Sequence, residues 1–154
     1  MNISKNFTMA EFIKSDTATK LGIDNTPEGE HLENAKALFE NVDQKVRDHF
    51  GPTVLNSGYR SPKLNEAVRG VATSQHCLGE AADIEVPGVA NATLAEWIRD
   101  NLEFDQVILE FYVPGEPSSG WVHVSYKKDG SNRKKCLTAA RVNGKTVYSE
   151  GINA

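Results

Sequence analysis

Ser74-Gln75-His76-Cys77-Leu78-Gly79-Glu80-Ala81-Ala82-Asp83-Ile84-Glu85-Val86 places two metal-ligand side chains on one short run. His76 and Asp83 are seven positions apart, a spacing that suits a loop followed by a strand better than one helical turn. Gly79 lets the chain bend, and Ala81 and Ala82 leave room beside Asp83 at the start of a strand that continues as Ile84-Glu85-Val86. A third ligand candidate, His123, lies in Trp121-Val122-His123-Val124-Ser125, a strand whose two valines alternate with it toward a core. Two imidazoles and one carboxylate leave the fourth position of a tetrahedral Zn²⁺ open, as in catalytic rather than structural zinc sites. Zinc held this way lowers the pKa of its water to about 7 and polarises a substrate carbonyl, so the site reads as hydrolytic.

Around this centre the chain alternates helix and strand signals. Phe7-Thr8-Met9-Ala10-Glu11-Phe12 combines a capping box, Thr8 with Glu11, and a hydrophobic staple, Phe7 with Phe12, and predicts a helix ending near Gly22. Thr26-Pro27 predicts a second start, followed at helical spacing by Leu32, Ala35, Leu38, Val42 and Val46 and stopped at Gly51-Pro52. Thr53 to Ser57 reads as a short strand, and Ser61-Pro62 opens a short helix toward Gly70. Thr93-Leu94-Ala95-Glu96 is a further capping box, leading Leu94, Trp97, Ile98 and Leu102 on one face. Gln106 to Tyr112 and Trp121 to Tyr126 should pair as antiparallel strands across the turn-rich stretch 114–120, which brings Glu110 near His123. Leu137 to Val142 and Thr146 to Tyr148 flank Asn143-Gly144, a strong hairpin signal. The pattern predicts an α+β fold: a small antiparallel sheet carrying the metal site, with the N-terminal helices packed on one face, all within a single domain over residues 1–154.

Composition narrows the function classes. The chain has 154 residues, with 17 Lys+Arg against 21 Asp+Glu and a formal net charge of -4, which argues against a nucleic-acid binder and against binding to anionic membranes. Two cysteines, Cys77 and Cys136, do not make a disulfide framework, and a reduced compartment fits them. No signal-like or membrane-spanning apolar run occurs, so the expectation is a monomer, cytoplasmic as synthesised, without membrane insertion.

Hydrolysis needs a base and a cation beside the metal. Glu110, in the apolar context Val107-Ile108-Leu109-Glu110-Phe111, is the candidate base; its plainer readings are an edge-strand carboxylate or an outer partner of a ligand histidine. Arg60, in Ser57-Gly58-Tyr59-Arg60-Ser61, is the candidate cation, against a salt bridge pinning the strand-to-helix corner. Ser74 either contacts substrate or caps its turn, and Trp121 is either cleft wall or core. Glu116 is the reserve base, Cys77 should point away from the metal, and His31 and His49 read as ordinary packed or surface residues. The basic stretch 127–135 is either a solvated hairpin tip or a local attractor for an anionic polymer.

These segments together resemble the zinc peptidases of the D-alanyl-D-alanine carboxypeptidase family, which share a fold with the vancomycin-resistance dipeptidases and the Hedgehog signalling domain. Ser74, His76, Gly79, Ala81 and Asp83 meet the family pattern Ser-x-His-x-x-Gly-x-Ala-x-Asp; Ser57 to Ser61 and Trp121 to Ser125 match two further elements. Phe7 to Phe12 and Asp24-Asn25-Thr26-Pro27 look like the single-domain, often phage-encoded branch, and the similarity runs from about residue 7 to about 126. The resemblance implies a Zn²⁺-dependent peptidase acting on peptidoglycan stem or cross-link peptides, as a carboxypeptidase or an endopeptidase, with His76, Asp83 and His123 as ligands. It also implies the base role for Glu110, which follows Phe104-Asp105 as the glutamate does in Hedgehog-like relatives. Several relatives carry His, Glu or Asp two or three residues before the third ligand, where this chain has Trp121 and Gly120. A phage or prophage product, working from the host cytoplasm or the virion, is the expected setting; a zinc-stabilised binding module or a virion structural protein is the alternative.

Overall fold

Thr8 opens the first helix as its spacing from Glu11 predicts. In the computed structural model, which describes residues 1–71 and 73–153, the Thr8 hydroxyl accepts from the Glu11 amide at 3.2 Å, and the Glu11 carboxylate accepts from the Thr8 amide at 2.9 Å. The helix α1, Met9–Ile13, is shorter than expected, because Lys14 turns to an extended ψ of 127° and Ser15 caps a second helix, α2, Asp16–Leu21. Ser15 accepts from the Ala18 amide at 3.1 Å, a local bond that competes with helix continuation. Phe7 and Phe12 are buried, and both pack edge-on against Phe39, with ring centroids 5.2 and 5.1 Å away. Two short strands, β1 (Asn2–Ser4) and β2 (Phe7–Thr8), form a separate ribbon at the N-terminus that was not expected.

The second helical run starts three residues later than Pro27 suggests. Gly29 adopts φ 53°, a left-handed conformation that a continuing α-helix excludes, and α3 spans Glu30–Leu38. A π-helical turn, Phe39–Asp43, passes into α4, Gln44–Phe50, which ends at Gly51 with φ 97°. Of the expected stripe, Ala35, Leu38, Val42 and Val46 are fully buried, as is Phe39, while Leu32 at its start is only half-buried.

Asp43 is an unanticipated member of this core. Its carboxyl is fully buried, neither oxygen has a hydrogen-bond partner, and burial pushes its pKa up to about 8. The unfolded chain ionises near 3.8, so between about 4 and about 8 unfolding releases a proton that the folded protein retains. Stability should therefore fall as pH rises through that window and level off above it. Asp43→Asn, which keeps the shape and removes the ionisation, should raise the melting temperature at pH 8, change it little at pH 4, and flatten the profile between.

Six strands form one sheet in the order β3 (Val54–Ser57), β4 (Ala81–Glu85), β6 (Trp121–Ser125), β5 (Gln106–Glu110), β7 (Lys135–Val142), β8 (Lys145–Glu150). The fold is α+β as expected, but the sheet is mixed: β5 and β7 run parallel, the other pairs antiparallel. Asn143 and Gly144 both take positive φ and close the β7–β8 hairpin in two residues. Because β5 lies between β6 and β7, residues 127–134 are a connection that passes over one strand instead of a hairpin tip.

Two helices complete the frame. α5 (Pro62–Ala67) is capped by Ser61, which accepts from the Leu64 amide at 3.2 Å. α6 (Asn91–Asn101) begins before the anticipated Thr93 cap, and Ala90 supplies no side-chain cap. The Asn91 amide group instead donates to Glu85 and to the Ser119 carbonyl, both at 3.0 Å, joining the helix start to β4 and to the β5–β6 connection. Along the central strands Ile84, Val107, Leu109, Val122 and Val124 enter the main core with Leu94, Ile98 and the α3–α4 stripe. The alternate positions Asp83, His123, Ile108 and Glu110 therefore face the other side of the sheet. None of the described helices is long and apolar enough to cross a membrane.

Candidate metal centre

Strand register assembles the three expected ligands. Asp83 on β4 stands opposite His123 on β6, and their side chains share the face away from the main core. His76 arrives from the 3₁₀ turn Gln75–Leu78, capped by Ser74, which accepts from the His76 amide at 3.2 Å; Gly79 closes the turn at φ 76°. A side chain on Gly79 would run into the His31 backbone carbonyl, so the glycine is required by space as well as by φ.

One donor atom from each of His76, Asp83 and His123 lies within 4.8 Å of the others. His76 Nε2 is 3.5 Å from Asp83 Oδ1, and His123 Nδ1 is 3.0 Å from the same oxygen. His76 Nδ1 lies 2.7 Å from the Gly58 carbonyl, which can only accept. The proton therefore sits on Nδ1, and the Nε2 lone pair is turned toward Asp83, the arrangement by which an outer partner sets a ligand histidine's tautomer. Burial alone would raise the Asp83 carboxyl, but the two imidazoles beside it favour its ionised form when they are protonated and carry it well below the usual carboxylate range. An ionised carboxylate and two inward-facing imidazoles are the donor chemistry that Zn²⁺ takes, so the residues fit that ion.

The cleft over this group has a volume of about 710 Å³ and is bordered by Arg60, Ser74, Glu110 and Trp121 as well as the three ligand candidates. Glu110 lies opposite Trp121 on β5 and two residues along from Ile108, the partner of His123. Burial pushes the Glu110 carboxyl up, and the nearby Asp83 charge adds to the rise. His123, the Trp121 indole N–H and His76 oppose it. That indole nitrogen is buried and lies beside the Glu110 carboxyl without a hydrogen bond of full geometry. Trp121 is thus cleft wall, tilted against Phe111 with ring centroids 5.4 Å apart.

Arg60 has no carboxylate partner among the described residues, so the salt-bridge reading is not what the structure contains. Its Nη2 donates to Ser74 Oγ at 3.1 Å, while Nε is buried without a partner. Its backbone amide donates to the His76 carbonyl at 3.1 Å, tying the Arg60 corner to the ligand turn. Ser74 accordingly serves as cap and as Arg60's anchor.

The remaining candidates fall elsewhere. Glu116 is exposed on the β5–β6 connection and does not border the cleft. Cys77 points away from the ligand group, into a separate cavity beside His31, and burial pushes its thiol up. His31 is half-buried and hydrogen-bonded through Nδ1 to the Tyr59 hydroxyl at 2.9 Å, and His49 is an exposed residue that stacks on Trp97 with centroids 4.5 Å apart, so one is packed and one is at the surface.

Asp105 carries a structural role that sequence reasoning missed. This buried carboxylate accepts from Arg133 Nε at 3.0 Å and Nη2 at 2.8 Å, and from Gln75 Nε2 at 3.0 Å. It thereby joins the basic crossover to the residue next to His76. Lys127 and Arg133 border the cleft, whereas Lys128 and Lys134 pair with Glu30 and Glu103 on the outside. Gln75, Glu80 and Tyr148 also border the cleft, and no motif singled them out.

A family model described as Peptidase M15 matches residues 5–125. No curated protein matches the chain.

Proposed function

Because the chain belongs to the peptidase M15 family, we propose that it is a zinc-dependent hydrolase of peptidoglycan stem or cross-link peptides, in the lysin-like manner of a D,D-carboxypeptidase or endopeptidase. The observation that carries this reading is the convergence of His76, Asp83 and His123 donor atoms within 4.8 Å in a cleft that also holds Glu110. Bound there, Zn²⁺ supplies Lewis acidity toward a peptide carbonyl and toward a water.

The chain's own residues do the rest. Glu110 takes a proton from the attacking water as its oxygen bonds to the carbonyl carbon. It then returns that proton to the departing amine nitrogen as the C–N bond breaks, so one water is consumed and a carboxylate and an amine are released. A carboxyl raised by burial is better matched to this two-way transfer near neutral pH than an ordinary glutamate. Arg60, held by Ser74 and short of a partner at Nε, donates to the oxygen that gains charge or to a substrate carboxylate. Trp121 forms the wall beside Glu110 and limits water access there.

Mass spectrometry of peptides released from purified sacculi tests the reading. Zinc-loaded protein should generate new peptide termini that are missing after EDTA treatment. Intact wall peptides beside stoichiometric zinc would instead favour a zinc-stabilised binding module or a virion structural role.

A further inference from the structure

The face of the sheet that carries the ligand group continues beyond it, onto strands outside the family match. Residues paired across neighbouring strands point to the same face. Trp121, Glu110, Ala139 and Tyr148 are successive partners on β6, β5, β7 and β8 and so form one row. Three of the four, Trp121, Glu110 and Tyr148, border the same cleft. Ala139, between Glu110 and Tyr148, carries only a methyl group and leaves the row low at that point. In the adjacent row His123 is followed by Ile108 and Leu137. Ile108, Leu137 and Ala139 make a small apolar cluster of their own, apart from the main core. Tyr148 borders this apolar ground while staying 57% exposed, on an outer strand.

We propose that Tyr148 is a specificity-determining residue that packs on an apolar part of the peptide substrate some residues away from the scissile bond. This rests on the peptidase reading above. Three strand spacings of about 4.8 Å put the Tyr148 backbone roughly 14 Å from that of its row partner Trp121, and the two-residue step from Trp121 to His123 brings the separation from His123 to roughly 16 Å. The ring stands on the cleft side of the sheet, where it borders the same cleft as the ligand group. An extended peptide advances about 3.3 Å per residue, so the contact falls about three or four residues from the bond cut. Tyrosine suits such a contact, because it offers a large, rigid surface that loses little conformational entropy when a ligand covers it. Arg60 and Ser74 approach from the opposite side of the ligand group, where β3 and the 3₁₀ turn lie, so the cleft grips a peptide by polar groups on one side and by an apolar aromatic surface on the other.

Steady-state kinetics of the zinc-loaded enzyme on wall peptides of increasing length test the proposal. Tyr148→Ala should raise KM about tenfold on peptides long enough to reach the residue, with kcat nearly unchanged, and Tyr148→Phe should stay close to wild type. Shortening the peptide should weaken wild type and affect Tyr148→Ala much less. Zinc content and melting temperature should not move, because the residue is exposed and binds no metal. A wild-type KM in Tyr148→Ala on long peptides, or an equal length dependence in both proteins, overturns the proposal. Absence of turnover by wild type on every peptide overturns the peptidase reading itself, and this proposal with it.

Discussion

Glu110→Gln should lower kcat on wall peptides by about 10²–10⁴-fold while zinc remains bound at one equivalent. The substitution preserves shape and hydrogen-bonding reach but removes the basic lone pair that accepts the water's proton. Glu110 is not among the three donors that converge on one another, so its loss should leave metal content unchanged. The pH profile gives an independent reading. Burial and the Asp83 charge hold the Glu110 carboxyl above its ordinary range, so the acid limb of kcat/KM should lie above the ~4.3 of a free glutamate. The base works only when ionised, and a raised pKa moves the loss of activity toward higher pH. Trp121→Phe removes an indole N–H that favours the ionised form, and should push the acid limb higher still. Activity of Glu110→Gln within about tenfold of wild type would pass the base role to another carboxylate bordering the cleft, of which Glu80 is one.

Asp83→Asn should abolish turnover by removing the metal. Asp83 Oδ1 is the atom that both imidazoles face, at 3.5 Å from His76 Nε2 and 3.0 Å from His123 Nδ1. An amide in its place keeps the volume and removes the negative charge opposite a dication. Zinc affinity should fall by more than the ~10–100-fold typical of losing an outer partner. Because a ligand that binds only the folded state stabilises it by mass action, wild type in zinc at about 1,000 times Kd should gain about 4 kcal/mol over the chelated protein. Asp83→Asn should show almost none of that gain. Zinc titration with calorimetry and thermal melts with and without EDTA check both statements. Retention of wild-type zinc affinity would remove Asp83 from the ligand set.

The ligand candidates were legible because a short segment of chain spells each of them out. A histidine on a glycine-closed turn, a carboxylate on the strand that follows and a histidine alternating with valines need only local geometry to be recognised. The Thr8–Glu11 cap, the buried stripe of α3 and α4 and the Asn143-Gly144 hairpin were readable for the same reason, since each depends on residues within a few positions of one another. Local signals failed where two of them competed. Ser15 split one expected helix, Gly29 displaced the start of another, and Asn91 spent its side chain on tertiary partners ahead of the Thr93 cap.

The set of donors, their order along the chain and the α+β class follow from the amino-acid sequence alone, because side-chain chemistry and hydrophobic period are properties of neighbouring residues. The partners those donors meet follow from the folded chain. The Gly58 carbonyl that orients His76, the indole N–H that lies beside Glu110 and the Asp105 bridge between the ligand turn and the basic crossover all join distant segments. The parallel β5–β7 pairing, which puts Tyr148 at the cleft, depends on a crossover whose direction no local motif records. Such contacts depend on how the whole chain closes around its core, and a periodic pattern within one segment carries no information about them.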